Sequence, residues 1–310
     1  MTKFLVSGGD FFRTEGILSI VELDDNTGQL SLISENWINH PDDSLSVIGK
    51  GFTGLCLDGE LAWTCFSNMV VAIDLETFSI VNEITDPYFN DLHHLELIDG
   101  TIFVANSGNE SVDRISLSDG AVVRIDLLGS NLRSMRPENE QTEDTKPHLH
   151  HVSSVTLNSH GDVIIGMVRQ SRILNISKWE WIGPRMSSPV HDVQCNRTDT
   201  VWCTTVSGRI HKFSPEGTQT TFDLGDYQSP VGWTRGLAVT EKGCLVGTTA
   251  IRESNHDYFS SFSKELVGHV GSKLTWIPFD NALKSSSLVL PNPATRKIFS
   301  ICCLEDSPIG

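Results

Sequence analysis

Five side chains carry the chemistry most open to test in this sequence: His93, His151, His191, Arg235 and Arg252. The histidines and Arg235 stand at the starts of short apolar runs that read as β-strands, and Arg252 at the end of one. Three neutral imidazoles arriving from separate strands, with a fourth position open, suit a divalent transition metal such as Zn, Fe, Cu or Mn. They suit Ca²⁺ poorly, because hard cations take oxygen ligands. A metal held this way activates a water or polarises a substrate oxygen. Arg235 offers a two-pronged hydrogen bond to a carboxylate or phosphate. Arg252, closing Thr248-Thr249-Ala250-Ile251-Arg252, offers the same.

These residues meet only if the fold gathers strand starts at one place, and a repeat in the sequence supplies such a fold. A polar or small residue, an alternating apolar strand, a tight turn and a second strand recur, beginning at Thr53, His93, Ser153, His191 and Arg235. Asp58-Gly59 and Asp99-Gly100 are the turn chemistry of hairpins. A spacing near 40 residues matches one four-stranded propeller blade. Third strands follow at Val70 to Asp74 and Ser111 to Ile115, and fourth strands at Ala121 to Leu127 and Gln219 to Leu224. The end segments complete one another: Lys297 to Leu304 reads as an inner strand with nothing after it, and Phe4 to Gly8 as a second strand with nothing before it. Gly16 to Glu22 and Gln29 to Ser34 supply the outer strands of that blade. The fold expected is all-β: a six-bladed β-propeller over residues 1–310 as one domain, closed by pairing the N- and C-terminal strands in one blade.

Aligning the copies places Thr53, His93, Ser153, His191, Arg235 and Ser300 in one ring at the strand starts. Side chains two apart share a strand face, so His151 reaches the same face as Ser153. His93, His151 and His191 are therefore the expected metal ligands, and Arg235 and Arg252 the catalytic cations. Thr53, Ser153, His94 and Ser300 are expected to bind substrate, with His148 and His150 as further candidates. Alternation turns Asp192 and Glu96 away from the channel. Any one of the eleven histidines, taken singly, is as well explained by a hydrogen bond to a neighbouring loop. The metal reading rests on three sharing a face from consecutive blades. Arg235 is alternatively a channel plug paired with an acidic loop.

The bulk properties exclude several function classes. Net charge is −16, whereas nucleic acids and anionic membranes call for basic patches. No apolar run approaches the roughly 18 residues of a membrane span, and the first apolar run is too short for a secretion signal. The seven cysteines are odd in number, lie in strand-like runs and form no C-x-x-C pair. That pattern fits free thiols in a cytoplasmic, reducing compartment. No P-loop, G-x-G-x-x-G, G-x-S-x-G or H-E-x-x-H motif occurs. Two segments exceed the repeat, Ser130 to Pro147 and Glu253 to Ser272. Long loops on a rigid scaffold either cover a site or are tolerated insertions. Trp179 and Trp181 alternate on one face and either cover a blade or form a sugar or partner platform.

The order of His93-His94-Leu95, Phe103-Val104-Ala105-Asn106, His151, Pro189-Val190-His191, Thr234-Arg235-Gly236-Leu237 and Ile251-Arg252-Glu253 resembles a poorly characterised family of bacterial six-bladed propellers with a domain of unknown function. The likeness covers most of residues 50–300. Val190-His191-Asp192 stands where that family has Pro-His-Ser, and Ser153 where it has Asn. The chain is also similar to the broader gluconolactonase, strictosidine-synthase and NHL-like propellers. That likeness implies a site at the channel mouth and activities such as lactone hydrolysis and condensation. The acidic and Asn calcium-ligand set of those families is not recognisable here. Three readings stand: a metal-dependent enzyme (hydrolase, lyase or oxygenase) acting on a small polar or anionic metabolite, a non-catalytic propeller binding a protein or glycan, and a metal-free ligand pocket.

Overall fold

The alternating runs form strands throughout the chain. The computed structural model describes residues 1–128, 141–142, 148–228, 231–252, 257, 271–280 and 283–304. Its strands β1 to β24 pair into six antiparallel sheets of four. Blade 1 orders β24 (Arg296–Cys303), β1 (Thr2–Asp10), β2 (Gly16–Leu23) and β3 (Leu30–Ile38). The chain thus closes its ring by pairing its two ends, with Leu5 opposite Cys302 and Phe4 opposite Cys303. Blades 2 to 6 start from the inner strands β4 (Cys56–Asp58), β8 (Leu92–Ile98), β12 (Val152–Leu157), β16 (Val190–Cys195) and β20 (Trp233–Val239). The Asp99-Gly100 turn after β8 has φ of 49° and 69°. Two consecutive positive angles are what a two-residue hairpin turn requires, and Asp-Gly tolerates them. The long segments Ser130 to Pro147 and Glu253 to Ser272 lie almost wholly outside the described residues.

Apolar side chains pack between neighbouring blades, one cluster to each of the six junctions. Phe4, Trp276 and Ile298 fill the junction of blades 6 and 1. Leu5, Phe52 and Phe66 fill the next, then Trp63, Leu95 and Val104. Phe103, Val155 and Ile165 follow, then Ile164, Val193 and Cys203, and Trp202, Leu237 and Val246 close the circuit. Each blade therefore shares one apolar junction with each of its two neighbours.

A second circuit, of hydrogen bonds, runs round the strand starts. Thr53 Oγ1 donates to Leu92 O at 2.6 Å, Ser153 Oγ to Val190 O at 3.3 Å and Thr249 Oγ1 to Ile298 O at 3.1 Å. Ser107 Oγ donates to Val152 O, the Gly236 amide to Asp192 Oδ2 at 2.9 Å and the Phe52 amide to Gly8 O at 2.9 Å. Each bond crosses from one blade to the next. They satisfy main-chain groups that the inner strands would otherwise bury unpaired.

Five inner strands carry a β-bulge at the level of this circuit. The register slips between Leu92 and His94, Val152 and Ser154, Val190 and Val193, Thr234 and Leu237, and, on β24, between Ile298 and Ser300. The residues caught in the bulges are His93, Ser153, His191–Asp192, Arg235–Gly236 and Phe299. A bulge inserts an extra residue and re-aims its side chain, so strict alternation ends where the aligned ring begins. The seven cysteines form no disulfide. No helix among the described residues is long and apolar enough to cross a membrane.

A methyl group on Gly8 would run into the Lys297 carbonyl across the closing pair. Gly8→Ala should therefore cost about 1–3 kcal/mol, read as a lower urea midpoint with an unchanged slope. An unchanged midpoint would show that the β1–β24 pairing does not limit stability.

Candidate functional site

The bulges and the loops before them open onto a cavity of about 730 Å³ at the channel mouth. One wall carries Asp91, His93, His148 and His151, and cations Lys50, Arg169, Arg235, Arg252 and Lys297 stand around it. Phe11, Trp233 and Phe299 lie between the cations.

His93 is set by its own strand start. Its Nδ1 lies 2.9 Å from Asp91 O, an acceptor, so Nδ1 carries the proton and Nε2 keeps its lone pair. Burial pushes the His93 imidazolium down to about 3, outweighing the nearby Asp91 charge, which pulls the other way. The ring is neutral at physiological pH. Asp91 sits at φ 48°, is buried and forms an ion pair with Lys50.

His151 is set by another blade. Glu110, fully buried in the turn between the second and third strands of blade 3, accepts the His150 and His151 amides, each at 3.0 Å. That bidentate grip holds His151 at φ 55°, a conformation an unsupported histidine rarely adopts. The His93 and His151 rings meet edge-on, centroids 4.6 Å apart at 84°. His148 stacks on His151 at 4.8 Å, with their Nδ1 atoms 2.6 Å apart, so one of the two donates and the other accepts. Asp91, His93 and His151 each offer a ligand atom within 4.8 Å of the others.

The remaining expected residues take different places. His191 lies deeper, its ring centroid 6.4 Å from that of His93, and it does not line the cavity. Its Nδ1 is 3.2 Å from Asp192 Oδ2, while its buried Nε2 makes no hydrogen bond. Burial lowers the His191 pKa despite Asp192. Burial by itself would raise the Asp192 carboxyl, but His191 and the Thr204 hydroxyl at 2.8 Å hold it below its usual range. His94 is turned toward the Val155 amide at 3.5 Å, and its pKa is lowered by burial. Ser153 is engaged in the inter-blade circuit, and Ser300 is buried against Ser7. Of the four expected substrate contacts, Thr53 lines the cavity. Glu96 does not, and burial pushes its carboxyl up to about 7. Arg235 and Arg252 both line the cavity. Arg235 packs against Phe299 at 4.6 Å and Trp233 at 5.6 Å, and its Nε makes no hydrogen bond. Burial pushes its guanidinium down to about 10, partly offset by Asp192 and Asp91. Trp179 and Trp181 are exposed on the outer edge of blade 4, away from the cavity lining, with Arg172 over Trp181 at 4.8 Å.

Sequence reasoning passed over Asp91, Glu110, Lys50, Lys297 and Phe299. Asp91 carried a usable signal, an acid two residues before a histidine at a strand start. Glu110 carried none, because its partner amides are 40 residues away in the chain.

No protein-family model matches the chain, and no curated protein matches it in sequence. Solved structures do match in shape. A protein of unknown function from Bacteroides caccae aligns over 97% of this chain and 98% of its own, with TM-score 0.64 and 12% identity. Virginiamycin B lyase from Staphylococcus aureus aligns over 93% and 86%, with TM-score 0.53 and 14% identity. A chain of the nidogen/laminin complex aligns over 97% and 97%, with TM-score 0.62 and 9% identity. At these identities the likeness shows the fold, a six-bladed propeller, and not the chemistry.

Depressed histidine pKa values tie stability to pH. An unfolded histidine titrates near 6.5, so the unfolded chain takes up protons that buried His93, His94 and His191 refuse. Stability is complete above about pH 6.5 and falls as pH drops toward the folded value of about 3 for His93. Denaturation in a chelating buffer should show this fall between about pH 7 and pH 5, and His93→Gln should flatten it. A pH-independent midpoint in the wild type would contradict the buried, neutral assignment.

Proposed function

We propose that the chain is an enzyme acting on a small anionic metabolite at the channel mouth, with a divalent transition metal held by Asp91, His93 and His151. The observation that carries this reading is the approach of one carboxylate and two imidazoles within 4.8 Å, inside a cavity lined, among the described residues, by five cations. Two histidines and a carboxylate with open positions suit Fe, Zn or Mn. The donor chemistry fits. The Nδ1–H of His93 is taken by a backbone carbonyl, the arrangement that fixes a ligating tautomer, and burial keeps the ring unprotonated. His191, with its unbonded Nε2 one ring deeper, is the reserve ligand.

When bound, the metal supplies a Lewis acid for a substrate oxygen. The protein's own groups do the rest. Arg235 and Arg252 hold the substrate's negative charge. Lys50, which pairs with Asp91, would add a further cation facing the cavity if that carboxylate held a metal. His148 accepts the Nδ1–H of His151, which leaves Nε2 of His151 as its ligating atom. A substrate oxygen polarised beside an anion-binding wall acidifies the C–H next to a carboxylate, as in the opening step of an elimination. This favours a lyase among the three classes, and a lyase by name occurs on the same fold.

A second reading is favoured by the Lys50–Asp91 ion pair, which satisfies Asp91 without a metal. The site is then a metal-free anion pocket in which His93 or His151 acts as base. Elemental analysis of the native protein decides between them. About one metal per chain, lost in His93→Ala and His151→Ala while circular dichroism is unchanged, supports the metal enzyme. Loss in His191→Ala as well would exchange Asp91 for His191 in the ligand set. No metal after reconstitution with Zn, Fe and Mn would leave the metal-free pocket. Glu110 is a positioning residue: Glu110→Gln should weaken metal affinity about 10-fold or more without removing a ligand, read by competition with a chromogenic chelator.

A further inference from the structure

The cavity's cations are not scattered. Along the wall shared by blades 6 and 1 they alternate with aromatic rings in one row: Trp233, Arg235, Phe299, Lys297, Phe11, Arg252. Successive cation-to-ring distances are 5.6, 4.6, 5.3, 5.0 and 4.9 Å. The sequence builds the row from two matching pairs, each a ring and a cation two residues apart: Trp233 and Arg235 on β20, Lys297 and Phe299 on β24. Because the two blades are neighbours, the pairs interleave. Phe11, just past β1, and Arg252, just past β21 (Gly243–Thr249), extend the row toward the rim.

A ring holds a cation through its quadrupole without cancelling the charge. A carboxylate would cancel it, and two arginines with largely buried side chains are held in that other way. Arg124 is gripped by Asp113 and Asp86, and Arg296 pairs with Glu35 at 3.0 Å. The chain has 39 acidic residues against 23 basic ones, so carboxylates are plentiful. Yet neither Arg235 nor Arg252 has a carboxylate partner among the described residues. Their charge is held in place and left available.

The two ends of the row differ in depth. Arg235 is half-buried beside Phe299, whose ring also meets His93 edge-on at 6.5 Å, whereas Arg252 is exposed at the rim. Lys297 lies between them. Neighbouring cations share a ring, so they stand no more than about 10 Å apart, and the arms of a short molecule reach both. We propose that the row is a receptor for compact dianions, two anionic groups on a short aliphatic spacer, and that it discriminates against monoanions. The inner group docks at Arg235 beside His93, and the outer group at Lys297 and Arg252. This deepens the reading of the cavity as an anion-binding site and does not depend on the metal.

The test is calorimetric titration of the full chain in chelating, low-salt buffer with butyrate, glutarate and 3-phosphonopropionate. Both dianions should bind at least about 10-fold tighter than butyrate. Arg252→Ala, at an exposed position where folding is retained, should abolish that advantage while changing butyrate affinity less than about 2-fold. Arg235→Ala should weaken all three. Equal binding of butyrate and glutarate by the wild type, an advantage that survives Arg252→Ala, or no binding of any of the three would overturn the proposal. A protein that keeps its dianion preference but takes up no metal on reconstitution with Zn, Fe and Mn would overturn the metal reading alone. A preference for one dianion tells whether the outer group is carboxylate or phosphonate, and both support the row.

Discussion

The pairing of β1 with β24 is the constraint on which the rest depends. A sheet edge left open on either terminal segment would expose unpaired amides and carbonyls. It would also leave two of the six apolar junctions without one wall. With the pair formed, Phe4 and Leu5 face opposite junctions, one against Trp276 and the other toward Phe52. One strand thus seals the ring on both sides. The same pairing carries Phe299 and Lys297 to the channel mouth, so the row of rings and cations exists only in the closed molecule.

Closure concentrates conflict at the strand starts. Six inner strands converge on a narrow axis, and their first residues lack room for a regular ladder. Bulges at His93, Ser153, His191–Asp192, Arg235–Gly236 and Phe299 relieve the crowding. Side-chain hydroxyls and Asp192 take up main-chain groups across the blade junctions. Two kinds of residue result from one geometry. Thr53 and Ser153 tie blades together, while His93 and Arg235 are turned to the cavity. Polar residues at equivalent places in a repeat therefore need not share a function.

The electrostatics of the cavity run against those of the whole chain. Among the described residues, this acidic protein places five cations and one carboxylate around the cavity. Burial holds His93 neutral, and aromatic rings hold Arg235 and Arg252 without quenching them. A low-dielectric wall bearing unquenched positive charge attracts small anions strongly. It also opposes a divalent cation, unless Asp91 is released by Lys50 and an anionic ligand brings compensating charge. Metal and anion would then bind cooperatively, each lowering the electrostatic cost of the other.

The sequence by itself determined the blades. Period-2 alternation, Asp-Gly turns and a spacing near 40 residues specify four-stranded units. The complementary ends, Phe4 to Gly8 and Lys297 to Leu304, specify closure. Equivalent ring positions brought His93 and Arg235 to one level, with His151 two residues before the ring and Arg252 at the end of a second strand, and all four line one cavity. Tertiary structure alone decided what stands beside them. The alternation rule assumes a regular ladder, and the bulges break it at the ring, so the depth of His191 and the engagement of Ser153 were not legible. Lys50 reaches the site from a turn outside the repeated strands. Glu110 sets His151 from another blade through two amides 40 residues away. Local patterns encode strands because strands obey local sterics, whereas a site at a ring axis is assembled from contacts between segments whose separation in sequence carries no periodic signal.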